Sequence, residues 1–84
     1  MNTFRSPKNR YHATINFDRA TKELGSVVTF TSNDIDTLLS LCSQQVAIAK
    51  VGATVKIIEN VAQFPQFDWK DCKVVKMNKN GQLL

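Results

Sequence analysis

Hydrophobic and polar residues alternate in the first clearly patterned part of the chain, residues 11–17. The apolar members of this alternation are Tyr11, Ala13, Ile15 and Phe17. A period of two is typical of a β-strand that buries one face. A second segment, residues 26–31, is rich in β-branched residues and follows a polar stretch that ends in Gly25, with Val28 and Phe30 on its expected core side. The two segments therefore predict a β-hairpin.

Between residues 34 and 50 the apolar positions recur three or four residues apart, which places them on one face of an α-helix. They are Ile35, Leu38, Leu39, Cys42, Val46 and Ala49. Ser32 or Asn33 is the predicted N-cap, because a side-chain oxygen there can accept a hydrogen bond from an amide of the first turn. Lys50 and Gly52 are typical of the end of a helix.

The period of two returns after the helix. Residues 54–60 and 72–77 are the predicted third and fourth strands, separated by an irregular segment that contains proline. Asn80-Gly81 predicts a tight turn, after which residues 83 and 84 would fold back as a short edge strand. The order predicts a small α+β fold, ββαββ, with one helix packed on one face of an antiparallel or mixed sheet of four or five strands.

Composition and charge narrow the classes of protein. The 84 residues suffice for one domain, expected at 11–84, preceded by a flexible basic N-terminal arm at 1–10. Net charge is +4 and the isoelectric point is about 9.3, a bias toward anionic partners. The chain shows no signal-peptide pattern and no apolar run that could span a bilayer, and it has only two cysteines. We therefore expect a soluble cytoplasmic protein that does not bind membranes.

The segment 64–70 has the most unusual local composition, because it holds three of the seven aromatic residues. These are Phe64, Phe67 and Trp69. If exposed, the rings could anchor a protein interface or stack on nucleic-acid bases. The favoured alternative is that they turn inward and complete a small core. A mixed arrangement, with only Phe64 exposed, is a third option.

Basic residues form two groups in the sequence. Lys70, Lys73, Lys76 and Lys79 recur at every third position, and Arg5, Lys8 and Arg10 lie in the arm. Both groups could contact phosphates. On a strand, however, Lys73 and Lys76 would point to opposite faces, so ordinary solvation of separate surfaces is the favoured interpretation.

Residues with catalytic or metal-binding chemistry are few and scattered. His12 is the single histidine and is expected on the surface, on the polar side of the first strand. Cys42 is expected to be a buried, inert thiol, and Cys72 to be partly exposed, although a disulfide between them is conceivable. The sequence predicts no catalytic residue, metal site or cofactor, and hence a protein that is not an enzyme.

The sequence favours a non-catalytic binding module. We expect a protein-interaction module, such as an inhibitor, regulator or accessory subunit, that docks a protein partner through segment 64–70 or the helix surface. An acidic partner is one option, given the basic bias of the chain. Leu41 and Ile48 widen the apolar arc of the helix and are compatible with such docking or with a homodimer. The alternative is a nucleic-acid-binding module that uses the basic arm and the C-terminal lysines with aromatic stacking.

Overall fold

The computed structural model describes residues 9–62 and 65–84. Its elements are β1 (Tyr11–Thr21), β2 (Gly25–Ser32), α1 (Ile35–Ala49), β3 (Ala53–Asn60) and β4 (Trp69–Met77). The strands form one sheet in the order β2-β1-β3-β4, and every neighbouring pair is antiparallel. The predicted α+β fold with ββαββ order is therefore confirmed, and the sheet is antiparallel rather than mixed.

The core lies between α1 and one face of the sheet. Ala13, Ile15 and Phe17 of β1 are buried there, which confirms the alternation in the sequence. Each is paired across the strand with an apolar residue of β3, for example Ile15 with Val55. From the helix, the fully buried side chains are those of Leu38, Cys42 and Val46. The predicted helical stripe thus packs on the predicted strand face, chiefly over β1 and β2.

The N-cap of α1 is Asp34, so the prediction of Ser32 or Asn33 is wrong. The Asp34 carboxylate accepts hydrogen bonds from the backbone N–H of Thr37, at 3.1 Å, and from its hydroxyl, at 2.6 Å. Ser32 instead accepts a hydrogen bond from the Asp34 N–H through its Oγ. Asn33 accepts one from the Arg10 N–H, which ties the start of β1 to the turn before the helix.

The helix ends as its stop signals predicted. Its last residue is Ala49, and Lys50 is the C-cap in a left-handed conformation with φ of 59°. The Lys50 N–H donates to the carbonyl of Val46 at 2.9 Å. In the described parts of the chain no helix has the length and apolar character needed to cross a membrane.

β4 is longer than its sequence pattern predicted. It begins at Trp69 instead of residue 72. The prediction missed residues 69–71 because a β-bulge interrupts the alternation of side chains there. Ile57 is paired with Lys73 but Ile58 with Asp71, so Cys72 is the extra residue. The bulge shifts the side-chain alternation before it by one position, which hides the strand from a simple period of two.

The C-terminal segment folds back as predicted but forms less than a strand. Leu83 makes one isolated antiparallel bridge with Met77, and the Leu84 N–H donates to the carbonyl of Lys76. The turn before it is closed by the Gly81 N–H, which donates to the carbonyl of Asn78 at 2.8 Å. Within residues 9–62 and 65–84 the sheet therefore has four strands.

The two cysteines lie apart, and no disulfide joins them. Cys42 is buried in the core, where burial raises the pKa of its thiol to about 11, in keeping with the predicted inert thiol. Cys72 is exposed at the bulge of β4. The disulfide considered from the sequence is therefore not formed. The Cys42 thiol is enclosed between α1 and the sheet, whereas Cys72 is exposed on the edge strand β4.

Candidate binding surface on the open face of the sheet

The sheet face opposite α1 carries no helix or strand in the described residues, so we call it the open face. Its side chains are the alternate residues of each strand, beginning in β1 with His12, Thr14 and Asn16. Much of its centre is polar, with threonines from three strands. One end is different because aromatic and aliphatic side chains gather there.

This end of the open face is the candidate binding surface, and we call it the aromatic patch. It consists of His12, Ile58, Phe67, Trp69 and Val74. Phe67 and Trp69 are stacked, with ring centroids 6.3 Å apart and an interplanar angle of 19°. His12 contacts Trp69 edge-on, at a centroid distance of 6.3 Å. Phe67 remains 52% exposed and Val74 61% exposed. The patch therefore combines ordered rings with apolar area that faces solvent.

The interpretation that the aromatic segment completes the core is wrong for two of its three rings. Phe67 and Trp69 lie on the open face, away from the core under α1. Trp69 is placed there because it is paired with Asn60, whose position along β3 faces away from the helix. The mixed arrangement with only Phe64 exposed is excluded by the exposure of Phe67, and Phe64 itself lies outside the described residues.

His12 is buried, so the prediction of a surface histidine is wrong. It does face away from the helix, as predicted, but only 9% of it is exposed. The edge-on ring of Trp69 and the cross-strand neighbour Ile58 lie beside it on the same face. The covering residue comes from β4, two strands away from β1, and no local pattern in the sequence indicates this contact.

Asn60 holds the segment that carries Phe67, and sequence reasoning missed it. Its buried side chain donates from Nδ2 to the carbonyl of Gln66 at 3.1 Å. Its Oδ1 accepts from the N–H of Ala62, at 3.1 Å, and from the N–H of Asp68, at 2.8 Å. These bonds join the two ends of the connection between β3 and β4. Phe67 is therefore presented from an anchored backbone.

The charges on and beside the patch are balanced. Lys56 lies 3.5 Å from Asp71 across the open face, and both side chains are largely exposed. Lys70, next to Trp69 in the chain, lies 3.7 Å from Asp68. Each pair contributes little free energy at such exposed positions. Their effect is to leave the patch without a net positive charge.

The predicted basic residues do not form one surface. Lys73 is paired with Ile57 on the helix side of the sheet, and Lys76 with Thr54 on the open face, so their predicted separation is confirmed. Lys79 lies in the turn after β4. Arg10 forms an ion pair at 2.5 Å with Glu59, whose carboxylate raises the pKa of Arg10. The arm residues Arg5 and Lys8 lie outside the described residues.

No protein-family model, curated protein or solved structure matches the chain.

The side chains of the open face are suited to binding. Within residues 9–62 and 65–84 there is no cluster of histidine, cysteine and carboxylate side chains that could hold a metal ion. The open face provides aromatic stacking, apolar contact and hydroxyl and amide groups for hydrogen bonds. These are the means by which a surface recognises a partner.

Proposed function

We propose that the protein is a non-catalytic binding module whose aromatic patch docks onto a partner protein. The observation that carries this proposal is the stacked pair of Phe67 and Trp69 on a sheet face that no helix or strand of the described residues covers. Aromatic side chains are enriched among the residues that dominate binding energy in protein interfaces. Such a module would act as an inhibitor, regulator or accessory subunit.

Order and composition both support a protein interface. The hydrogen bonds of Asn60 fix the backbone on both sides of Phe67, so little conformational entropy is lost on docking. The half-exposed ring of Phe67 and the side chain of Val74 provide apolar area, and the Lys56–Asp71 ion pair, which lies between the rings and Val74, adds charges of both signs. Protein interfaces are enriched in aromatic residues and combine apolar area with polar groups.

The partner that fits is a protein with an apolar contact site and acidic residues around it. The chain has a net charge of +4, which would speed encounter with an acidic surface. Lys76 lies on the open face of the edge strand β4, and among the described residues it forms no ion pair. A partner that extends from the patch along this face would give Lys76 a counter-charge through a carboxylate at its rim.

Nucleic acid fits the patch less well. A single-strand binding surface combines stacking rings with cations that follow the phosphates. Here Lys73 lies on the other face of the sheet from Trp69, and Lys56 is paired with Asp71. Lys76 is on the right face but seven residues from Trp69 along β4, roughly 20 Å at the usual rise of a strand.

The test compares three forms of the protein as bait for affinity capture: wild type, Phe67→Ala and Ile48→Ala. Ile48 is 71% exposed on α1 and serves as the matched control, which also tests docking through the helix surface. We expect a captured protein to be retained by wild type and Ile48→Ala and lost by Phe67→Ala. Titration of that purified protein against Trp69 fluorescence should then show a Kd at least tenfold weaker for Phe67→Ala.

Three results would overturn the proposal. Loss of the partner with Ile48→Ala alone would move the interface to the helix. Binding of a single-stranded oligonucleotide that is weakened by Phe67→Ala and by salt would assign the patch to nucleic acid. Self-association that Phe67→Ala abolishes, seen by light scattering, would make a second copy of the chain the partner.

A further inference from the structure

A basic cleft lies at the end of the sheet opposite the aromatic patch. It is lined by Arg19 of β1, Ala47 and Lys50 at the end of α1, and Lys79 and Asn80 in the turn after β4. The two ends of β4, Trp69 and Met77, are roughly 25 Å apart at the usual rise of a strand. The cleft is therefore separate from the surface proposed for the partner protein.

Among the described residues that line the cleft, three are cations and none is an acid. The ion pairs of the described residues, Arg10–Glu59, Lys56–Asp71 and Lys70–Asp68, all lie elsewhere. The carbonyl end of α1 adds a partial negative charge of about one half, which three full positive charges outweigh. Among the described residues the three cations form no ion pair, and they outnumber the Asp18 carboxylate, which lies beside Gly52 near this end of the sheet.

The C-cap of α1 fixes one wall of the cleft. Lys50 has a φ of 59° and is the one non-glycine residue with positive φ in the described parts of the chain. Its backbone is held by the hydrogen bond to the carbonyl of Val46. A left-handed conformation is strained for a residue with a side chain, because its Cβ crowds the backbone. The chain here carries lysine where glycine or asparagine would be less strained.

The turn that carries Lys79 and Asn80 is also fixed. Its Gly81 is buried against α1, with φ of 80°, and a Cβ there would lie 2.2 Å from the carbonyl oxygen of Ser43. The Ser43 hydroxyl donates to the carbonyl of Gly81 at 2.6 Å. Within the turn, Asn78 Oδ1 accepts from the N–H of Asn80 at 2.9 Å. The backbone at Lys50 and in the turn that carries Lys79 is therefore held in a defined position.

We infer that the basic cleft binds a phosphate-bearing anion, with Arg19, Lys50 and Lys79 as its cationic ligands. Guanidinium forms paired hydrogen bonds with phosphate oxygens, and lysine ammonium groups add point charges and further donors. The cleft volume of about 390 Å³ is at the lower end of the range for small-molecule sites and accommodates more than one phosphate group. The anion is a short polyphosphate, such as that of a nucleotide, or consecutive phosphates of a nucleic-acid backbone.

Calorimetric titration with sodium tripolyphosphate and, separately, with a twelve-residue thymidine oligonucleotide tests this at low salt. The variants are Arg19→Gln and Lys79→Gln, and the control is Lys22→Gln, which removes one exposed charge in the β1–β2 turn that does not line the cleft. We expect each cleft variant to weaken binding at least tenfold and the control to weaken it less than twofold. Phe67→Ala should have no effect, which separates this site from the proposed protein interface.

Each outcome either supports or overturns the inference. Tripolyphosphate binding that depends on the cleft residues supports the site, with a small polyphosphate as the ligand. Oligonucleotide binding alone, with the same dependence, supports it with the nucleic-acid backbone as the ligand. The inference is overturned if neither anion binds, if the cleft variants bind like wild type, or if Lys22→Gln loses as much affinity as they do. Should one cleft variant fail to fold, as judged by circular dichroism, the other still decides the question.

Discussion

At the residue scale, the side chain of Asn60 stabilises the connection between β3 and β4. One side chain satisfies two backbone N–H groups and one carbonyl of the connection between β3 and β4. Because Asn60 is buried, its amide loses hydration on folding and each of these bonds replaces a bond to water. The same bonds hold Phe67 in place beside Trp69. Asn60 therefore contributes both to the stability of the fold and to the geometry of the aromatic patch.

We predict that Asn60→Ala destabilises the protein by about 1–3 kcal/mol, because three backbone groups lose their partner. Urea denaturation measures the change, and the emission spectrum of Trp69 should shift as Phe67 loses its anchored backbone. Asn16→Ala is the control, since Asn16 is exposed on the same sheet face and should cost less than about 0.5 kcal/mol. Equal losses in the two variants would contradict the role assigned to Asn60.

At the scale of the element, the start of α1 depends on one carboxylate. Hydrogen bonds from Thr37, first from its hydroxyl and then from its N–H, lower the pKa of Asp34 below its ordinary value of 3.8. A pKa that is lower in the folded state means that the ionised form stabilises the fold. That contribution is complete above the ordinary pKa and is lost as the pH falls through the folded value.

We predict that the advantage of wild type over Asp34→Asn is present at pH 6 and disappears well below pH 4. Asparagine keeps a capping oxygen but cannot ionise, so the comparison isolates the charge. Asp34→Ala removes both and should have the lowest thermal midpoint at pH 6. Melting curves of the three proteins at several pH values test this. A constant gap between wild type and Asp34→Asn across that range would show that ionisation of Asp34 does not matter.

At the scale of the whole molecule, the two faces of the sheet differ in burial. One face packs under α1 and contains the fully buried side chains such as Ile15 and Val55. The open face has ordered but accessible side chains. In the described residues one helix covers one face of the sheet, and the open face carries the aromatic patch that we propose as the docking surface. Each of the two proposed sites lies at its own end of this sheet.

We predict that Ile15→Ala costs about 2–5 kcal/mol, the range for truncation of a fully buried aliphatic side chain. Phe67→Ala should cost only about 1 kcal/mol, because the ring is half exposed and loses chiefly its stacking on Trp69. Urea denaturation measures both changes in the free energy of unfolding, from the shift of the midpoint when the dependence of that free energy on urea concentration stays unchanged. A large loss of stability for Phe67→Ala would mean that the ring is structural, and the capture experiment would then need a milder change such as Phe67→Leu.

The alternation in residues 11–17 and the helical spacing after residue 34 were enough to predict the fold, because burial of one face of each element is a local, periodic requirement. Local patterns were less informative where neighbours compete. Ser32, Asn33 and Asp34 all carry a side-chain oxygen suited to an N-cap. The contact of Asn33 with Arg10, far away in the chain, and the use of Ser32 in its own turn left Asp34 as the cap.

The candidate sites depended more strongly on tertiary structure. The sequence identified Phe67 and Trp69 as unusual, but the bulge at Cys72 and the pairing of Trp69 with Asn60 decided that they face away from the core. The sequence identified Lys79 as basic, but only the packing of Gly81 on Ser43 brings it beside Arg19 and Lys50.

The sequence by itself therefore determined the order of the strands and the helix, and which face of β1 and of α1 packs in the core. Only the tertiary structure decided the order of the strands, the placement of the rings on the open face and the assembly of the basic cleft. The physical reason is that periodicity records the burial of a residue relative to its neighbours in the chain. A binding surface is formed by side chains that are distant in the chain, and their meeting depends on strand pairing and on packing across the whole molecule.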